Sequence, residues 1–278
     1  MKLIITLLVF LFISSISVAQ KGDKLKGSKT VTIENRSTSN FTAVYIQDDI
    51  QVSFIKADST GIEIESDDNL QEALKSENKG GDLYLSMANK ITSYKKFEVK
   101  IYYTDKLKSI EATDESKLMI LEEMDLDKIS FKLNKKAKLY LNLKSKEALF
   151  ELNDDSSAEM NIKSQKTHFV MTKESVAKVL VASTELKVDQ YQKSKSSFEG
   201  DVIDLKLRMD NNSKYIGKYL TAKNVEIMAE AYVTLSVFAE KTCIINAFAN
   251  SEIELFGDPI IELKKFTGKT ILKKNTLK

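Results

Sequence analysis

A repeat of about 19 residues is the feature that most constrains this chain. The residues just before successive polar turns, Leu133, Leu152, Met171, Gln190 and Met209, fall 19 apart four times in succession. Ala229, Ala247 and Phe266 continue the series at 20, 18 and 19, and Ala112 precedes it at 21. A second column lies six positions on: Leu139, Ala158, Ala177, Ser196, Tyr215, Leu235, Ile253 and Leu272. A third, two further along, runs Leu141, Met160, Val179, Phe198, Gly217, Val237 and Leu255. Within each unit apolar and polar residues alternate, as in Ile129-Phe131-Leu133 and Leu139-Leu141-Leu143. That period of two marks half-buried strands. A single pair of short strands cannot bury its inner face, but stacked pairs bury a continuous apolar column. Residues from about 112 to 272 are therefore expected to form an all-β solenoid of about eight coils. At ~4.8 Å per coil this is a rod on the order of 40 Å long. A leucine-rich repeat has a similar period, but its L-x-x-L-x-L-x-x-N pattern does not recur.

The turns carry a column of their own. Four residues after each landmark stand Ser116, Ala137, Ser156, Ser175, Ser194, Ser213, Val233, Ser251 and Thr270. Stacked hydroxyls can bond along the column, forming a polar ladder that meets a flat repetitive ligand, or can bind turn backbone locally. The local, structural role is the expectation for Ser116, Ser156, Ser175, Ser194, Ser213, Ser251 and Thr270. Cys243, four before Ala247, should lie inside the stack and be unreactive.

Residues 30–106 follow a different pattern and read as an antiparallel β-rich head. Strands are expected at Thr30–Glu34, Phe41–Ile46, Ile50–Ile55, Gly61–Ser66, Leu83–Met87 and Phe97–Tyr103. Asp68 followed by Gln71 fits a capping box that opens a short helix through about Lys75. The head should cap the first coil of a solenoid spanning 107–278. At the far end, Pro259 and the lysines of the tail (Lys264, Lys265, Lys273, Lys274, Lys278) should discourage edge-to-edge pairing.

The first 19 residues read as a signal peptide, with Lys2, the apolar run Leu3–Ile13 and cleavage after Ala19 in Ser17-Val18-Ala19. The run is too short for a membrane-spanning helix, which needs about 20 apolar residues. Residues 20–29 then serve as a linker. This places the protein in the periplasm, at the outer membrane or outside the cell. One cysteine permits no intramolecular disulfide, so stability must come from packing.

The residue types disfavour most chemistries. The formal net charge is +2, with 42 basic and 40 acidic residues, which is not the field of a nucleic-acid binder. Only Arg36 and Arg208 are arginines, so a dedicated anion site is not indicated. His168 is the single histidine, and its odd offset from Met171 sends it outward as an exposed strand residue rather than a catalytic base. The acid pairs Asp48-Asp49, Asp67-Asp68 and Asp154-Asp155 are expected to be solvated in turns, since adjacent strand residues point to opposite faces. Arg208 with Asp189, Asp204 and Asp210 is the one constellation that suits a polysaccharide-active β-helix, and it is not specific. No motif points to a metal or cofactor.

These residues resemble the auto-transporter adhesin family with the head-GIN domain, found in Bacteroidota envelope proteins. The resemblance rests on Phe41 to Val44 with Asp49 to Val52, on Gly61 to Leu70, on Lys106 to Ala112, and on the closing Ser251 to Pro259. It implies a right-handed parallel β-helix and an envelope location. The family's turn glycines are replaced by Asp114-Glu115, Asp154-Asp155, Lys173-Glu174 and Asn211-Asn212, which marks a diverged member. The expected function is a non-enzymatic adhesin-like binding or structural module. Its partner would be an envelope glycan or another surface protein, with no nucleic acid involved. The alternatives are a carbohydrate-active lyase or hydrolase, and a self-assembling surface module.

Overall fold

The computed structural model describes residues 24–277, so the signal-peptide and Ala19 cleavage readings, and Lys278, lie outside the described residues. The described chain is nearly all β and winds into a solenoid of about nine turns, close to the eight read from the repeat. Seven long strands form its body: Lys117–Leu133, Lys138–Leu152, Ser157–Met171, Val176–Gln190, Lys195–Met209, Lys214–Ala229 and Thr234–Ala247. Each pairs in parallel with the next. Each turns a corner midway. In Lys138–Leu152 the buried positions are odd-numbered up to Ser145 and even-numbered from Ala148, with Lys146 and Glu147 both exposed between them.

The sequence columns are the physical rungs. Leu139, Ala158, Ala177, Ser196, Tyr215, Leu235, Ile253 and Leu272 are successive register partners. The landmark column behaves likewise from Ala112 to Phe266. The third column breaks once. Phe198 does not pair with Gly217, because the register shifts there and Glu199 pairs with Tyr219. Space explains the glycine: a Cβ at Gly217 would sit 2.4 Å from the Tyr215 ring.

An aromatic spine fills the interior. Phe131, Phe150 and Phe169 stack at centroid distances of 5.3 and 4.7 Å. The run then crosses to the other wall, through Phe198 at 5.1 Å to Tyr215 at 5.5 Å. Gln190 interrupts the apolar landmark column, and it is fully hydrogen bonded. Its Nε2 donates to the carbonyls of Ser194 and Lys214, and its Oε1 accepts from Ser196 Oγ. Cys243 is buried in the same interior, and burial pushes its thiol pKa up to about 12. We predict that a thiol-specific chromogenic reagent leaves Cys243 unmodified in native buffer at pH 8 and titrates one thiol in denaturant, since the thiolate is the reacting form.

The head corrects the antiparallel reading. Ala43–Ile46 pairs in parallel with Ser109–Ala112, and Gln51–Lys56 with the start of Lys117–Leu133. Asp82–Met87 and Phe97–Tyr103 add a further layer, again in parallel. The solenoid thus runs into the head, with the layers stacked against chain order. Antiparallel strands only finish this end: Leu74–Lys79 on Asp82–Met87, and Gly61–Asp67 on Phe97–Tyr103. Alternation shows that a segment is a strand; it carries no information about which neighbour that strand will find.

Three local expectations also change. Lys24–Lys26, read as linker, forms a strand paired with Lys90–Ser93. The capping box does not form: Asp68–Ala73 is a 3-10 helix in which Asp68 accepts from Ser28 Oγ and Gln71 donates to Thr32. Asp67 is fully buried rather than solvated. Its carboxylate accepts backbone N–H groups from Lys29, Lys95 and Lys96, joining three segments of the head. Burial opposes the charge, but the three N–H bonds outweigh it and hold the Asp67 pKa below the ordinary value. Because the folded value is the lower one, the stabilisation from Asp67 is present above the ordinary carboxylate pKa and is lost as pH falls through the depressed value. Asp67→Asn is expected to flatten that acid limb in a melting-temperature profile against pH.

At the first corner of each coil one or two residues adopt the left-handed conformation, and only the last is glycine: Asp48, Asp114, Lys135, Asp154, Lys173, Gln192 with Lys193, Asn211 with Asn212, Ala231 with Tyr232, Ala249 and Gly268. Asp114, Asp154, Lys173 and Asn211 are among the turn positions where the resemblance implied glycine. Side chains compensate in part of the column. The Asp154 carboxylate accepts the Lys135 backbone N–H and pairs with the Lys173 ammonium, and Asp114 pairs with Lys135. Ala231 and Ala249 offer no such bond. Relieving a left-handed alanine gains about 1–2 kcal/mol, and the extra freedom of unfolded glycine returns about 0.5–1. Ala249→Gly should therefore stabilise the protein by about 0.5–1 kcal/mol, read from its denaturant midpoint.

Candidate functional site: a groove along the second corner

A groove of about 920 Å³ follows the second corner of the solenoid across successive coils. Its rim is a ladder of register partners, Lys128, Glu147, Lys166 and Glu185, whose charge alternates at every rung. Its lining includes Leu107, Ile129, Ala148 and Thr167 from the inward-facing rows, with Ser130, Leu149, His168 and Lys187 standing outward. Four rungs at ~4.8 Å give a run on the order of 15 Å, long enough for a few residues or sugar units of an extended chain.

His168 points outward as the strand phase requires, but it has a partner that the sequence did not disclose. Its Nε2 lies 2.8 Å from Asp189 Oδ2, on the adjacent coil. A carboxylate only accepts, so the pair sets Nε2 as the protonated nitrogen. Lys187 Nζ reaches the same oxygen at 2.8 Å, and the Asp189 side chain is only 11 % exposed. Behind the groove, the hydroxyls of Ser164, Ser183 and Thr167 are linked across the corner.

The other candidates are dispersed. Arg208 is the register partner of Asp189, yet Asp189 is held by His168 and Lys187. Asp204 accepts from Asn224, and Asp210 binds the N–H of Asn211. The lining of the second-corner groove includes none of Arg208, Asp189, Asp204 and Asp210. Among the described residues, no three His, Cys, Asp or Glu side chains come together as a metal site.

The serine column faces inward. Ser116, Ser156, Ser175, Ser194, Ser213 and Ser251 are all buried. The hydroxyls of Ser116, Ser194 and Ser251 donate to the carbonyl three residues back in the same turn, and Thr270 does so at the last coil. Those bonds close corners locally.

Sequence reasoning missed the groove because its walls come from several coils and no short motif spans them. A signal was present in Lys128, Glu147, Lys166 and Glu185, which alternate in sign at intervals of 19.

This geometry defines the chain as a β-solenoid with a continuous lateral groove. It belongs to the family described as "Putative auto-transporter adhesin, head GIN domain", which it matches over residues 40–161 and 150–259. A putative adhesin from Parabacteroides distasonis shares the fold at 14 % identity and a TM-score of 0.65, covering 91 % of this chain and 98 % of that one. A putative adhesin from Parabacteroides merdae has the same identity and TM-score, with 91 % and 100 % covered. A structure named putative lipid binding protein, also from P. distasonis, aligns at 15 % identity and a TM-score of 0.62, with 91 % and 100 % covered. No curated protein matches the chain. No helix among the described residues is long and apolar enough to cross a membrane.

Proposed function

We propose that the protein is a non-enzymatic, exported binding module of the cell envelope, and that it takes an extended ligand along the groove. The observation that carries this reading is the groove itself: a concave, partly apolar strip that repeats coil after coil, with charges alternating along its rim. Such a strip fits a ligand that also repeats, an envelope glycan or an extended segment of a surface protein. The family's adhesin description supports the same class of role.

Binding of the purified protein to immobilised envelope polysaccharide and to extended surface-protein segments tests it. Leu149→Asp and Lys166→Glu should each weaken binding by about tenfold or more, a loss of about 1.4 kcal/mol. Equal binding by wild type and both variants would remove the groove from the account. Fractionation with protease shaving of whole cells tests export, and recovery in the cytosol alone would end that part of the reading.

The His168–Asp189 pair favours one second reading, a polysaccharide-active enzyme, because an oriented imidazole in a groove is the arrangement of a general base. Turnover in a glycan-lyase and hydrolase screen that is abolished by His168→Ala or Arg208→Ala would establish it in place of the binding module.

A further inference from the structure

We infer that the last coil is a homodimerisation surface, on which a second copy of this chain docks tail to tail. The two ends of the solenoid differ. At the head, the outermost strands Asp82–Met87 and Phe97–Tyr103 have their free edges taken by the antiparallel strands Leu74–Lys79 and Gly61–Asp67. At the tail, Ile260–Phe266 and Ile271–Lys274 pair only with the coil beneath, and their other edges are unpaired among the described residues.

The interior columns surface at this end. Ile261 stands over Cys243, Leu263 over Ile245 and Leu272 over Ile253. The lower members of these pairs are fully buried, whereas Ile261 is 41 % and Leu263 49 % exposed. An exposed apolar row bounded by open strand edges is a template for pairing unless charges guard it. Lysines do occur here, but several turn back along the stack. Lys265 Nζ lies 4.4 Å from the Phe248 ring centre, while Lys273 and Lys274 pair with Glu252 and Asp258. That leaves Lys264, at the bulge of Ile260–Phe266, as the lysine guarding this edge among the described residues.

Charge and shape select the occupant. An antiparallel pairing of Ile260–Phe266 with its own copy, centred on Leu263, sets Leu263 against itself and Glu262 opposite the partner's Lys264, twice by symmetry. Neither Glu262 nor Lys264 makes an ion pair among the described residues of its own chain, and Lys264 is the extra residue of a bulge. A single peptide strand would cover one of the two open edges. A second end coil covers both edges and the apolar columns between them. A tail-to-tail contact is isologous and uses the tail surface of both copies, so the assembly closes at two copies rather than growing into a filament.

Sedimentation equilibrium of the purified protein tests this. The expected species is a dimer that dissociates to monomer on dilution. Glu262→Lys alone and Lys264→Glu alone should each raise the dimer dissociation constant by about tenfold or more, as like charges then face one another. The double variant Glu262→Lys/Lys264→Glu should restore the dimer. Circular dichroism, unchanged in all three, would separate loss of pairing from loss of fold. A monomer throughout, growth beyond two copies, or a dimer indifferent to the reversals would overturn the proposal.

Discussion

Phe150→Ala is expected to destabilise the protein by about 3–5 kcal/mol, the usual loss for emptying a buried phenylalanine site. Phe150 is fully buried and sits between two stacked neighbours, Phe131 at 5.3 Å and Phe169 at 4.7 Å. Strand pairing above and below fixes the coil spacing, so the walls cannot close on the hole and the ring's contacts are lost outright. At about 2–4 °C per kcal/mol for a chain of this size, the melting temperature should fall by on the order of 10 °C. Because each coil touches only its neighbours, hydrogen exchange should rise first in the strands carrying Phe131 and Phe169. An even rise over all coils would show that the spine acts as one unit.

Gly200→Ala should be comparably severe for a different reason. Gly200 has φ +111°, which side-chain-bearing residues rarely adopt, and an added Cβ would lie 2.2 Å from the carbonyl oxygen of Val181. That oxygen belongs to the paired strand of the coil beneath, so the clash can be relieved only by separating two strands. The expected loss is about 3 kcal/mol or more, backbone strain and overpacking combined. Gly80 and Gly81 supply the control. Both have positive φ in the turn between Leu74–Lys79 and Asp82–Met87, and nothing lies within 4 Å of their Cβ positions. Their alanine variants should show the conformational loss alone, about 1–2 kcal/mol each. A Gly200→Ala protein with the same chemical-denaturation midpoint as Gly80→Ala would refute the steric argument.

Particular residues show how far the sequence could be followed. Leu139 to Leu272 could be set in register by counting, because a parallel stack forces each coil to spend nearly the same number of residues. The serine column was legible for the same reason, and so was the interior position of Cys243. Gly217 was placed in a column that the fold breaks, since a local register shift leaves no trace in a count. Asp67 looked like a turn acid and became the buried tie of the head, because its partners Lys29, Lys95 and Lys96 are brought to it only by folding.

The groove and the tail divide along the same line. Alternating apolar residues at a fixed 19-residue interval were enough to determine that this chain is a solenoid, which coils exist and which side chains fill them. Burial is a property of each strand's own pattern, so the sequence carries it locally. Tertiary structure alone decided that the head contributes parallel layers in reversed order, that His168 meets Asp189, that four separate coils align their charges along one groove, and that antiparallel strands cover the outermost head layer while no strand among the described residues covers the last coil. Those features depend on which strand lies beside which. A strand's backbone hydrogen bonds are the same for every partner, so its sequence does not name the neighbour.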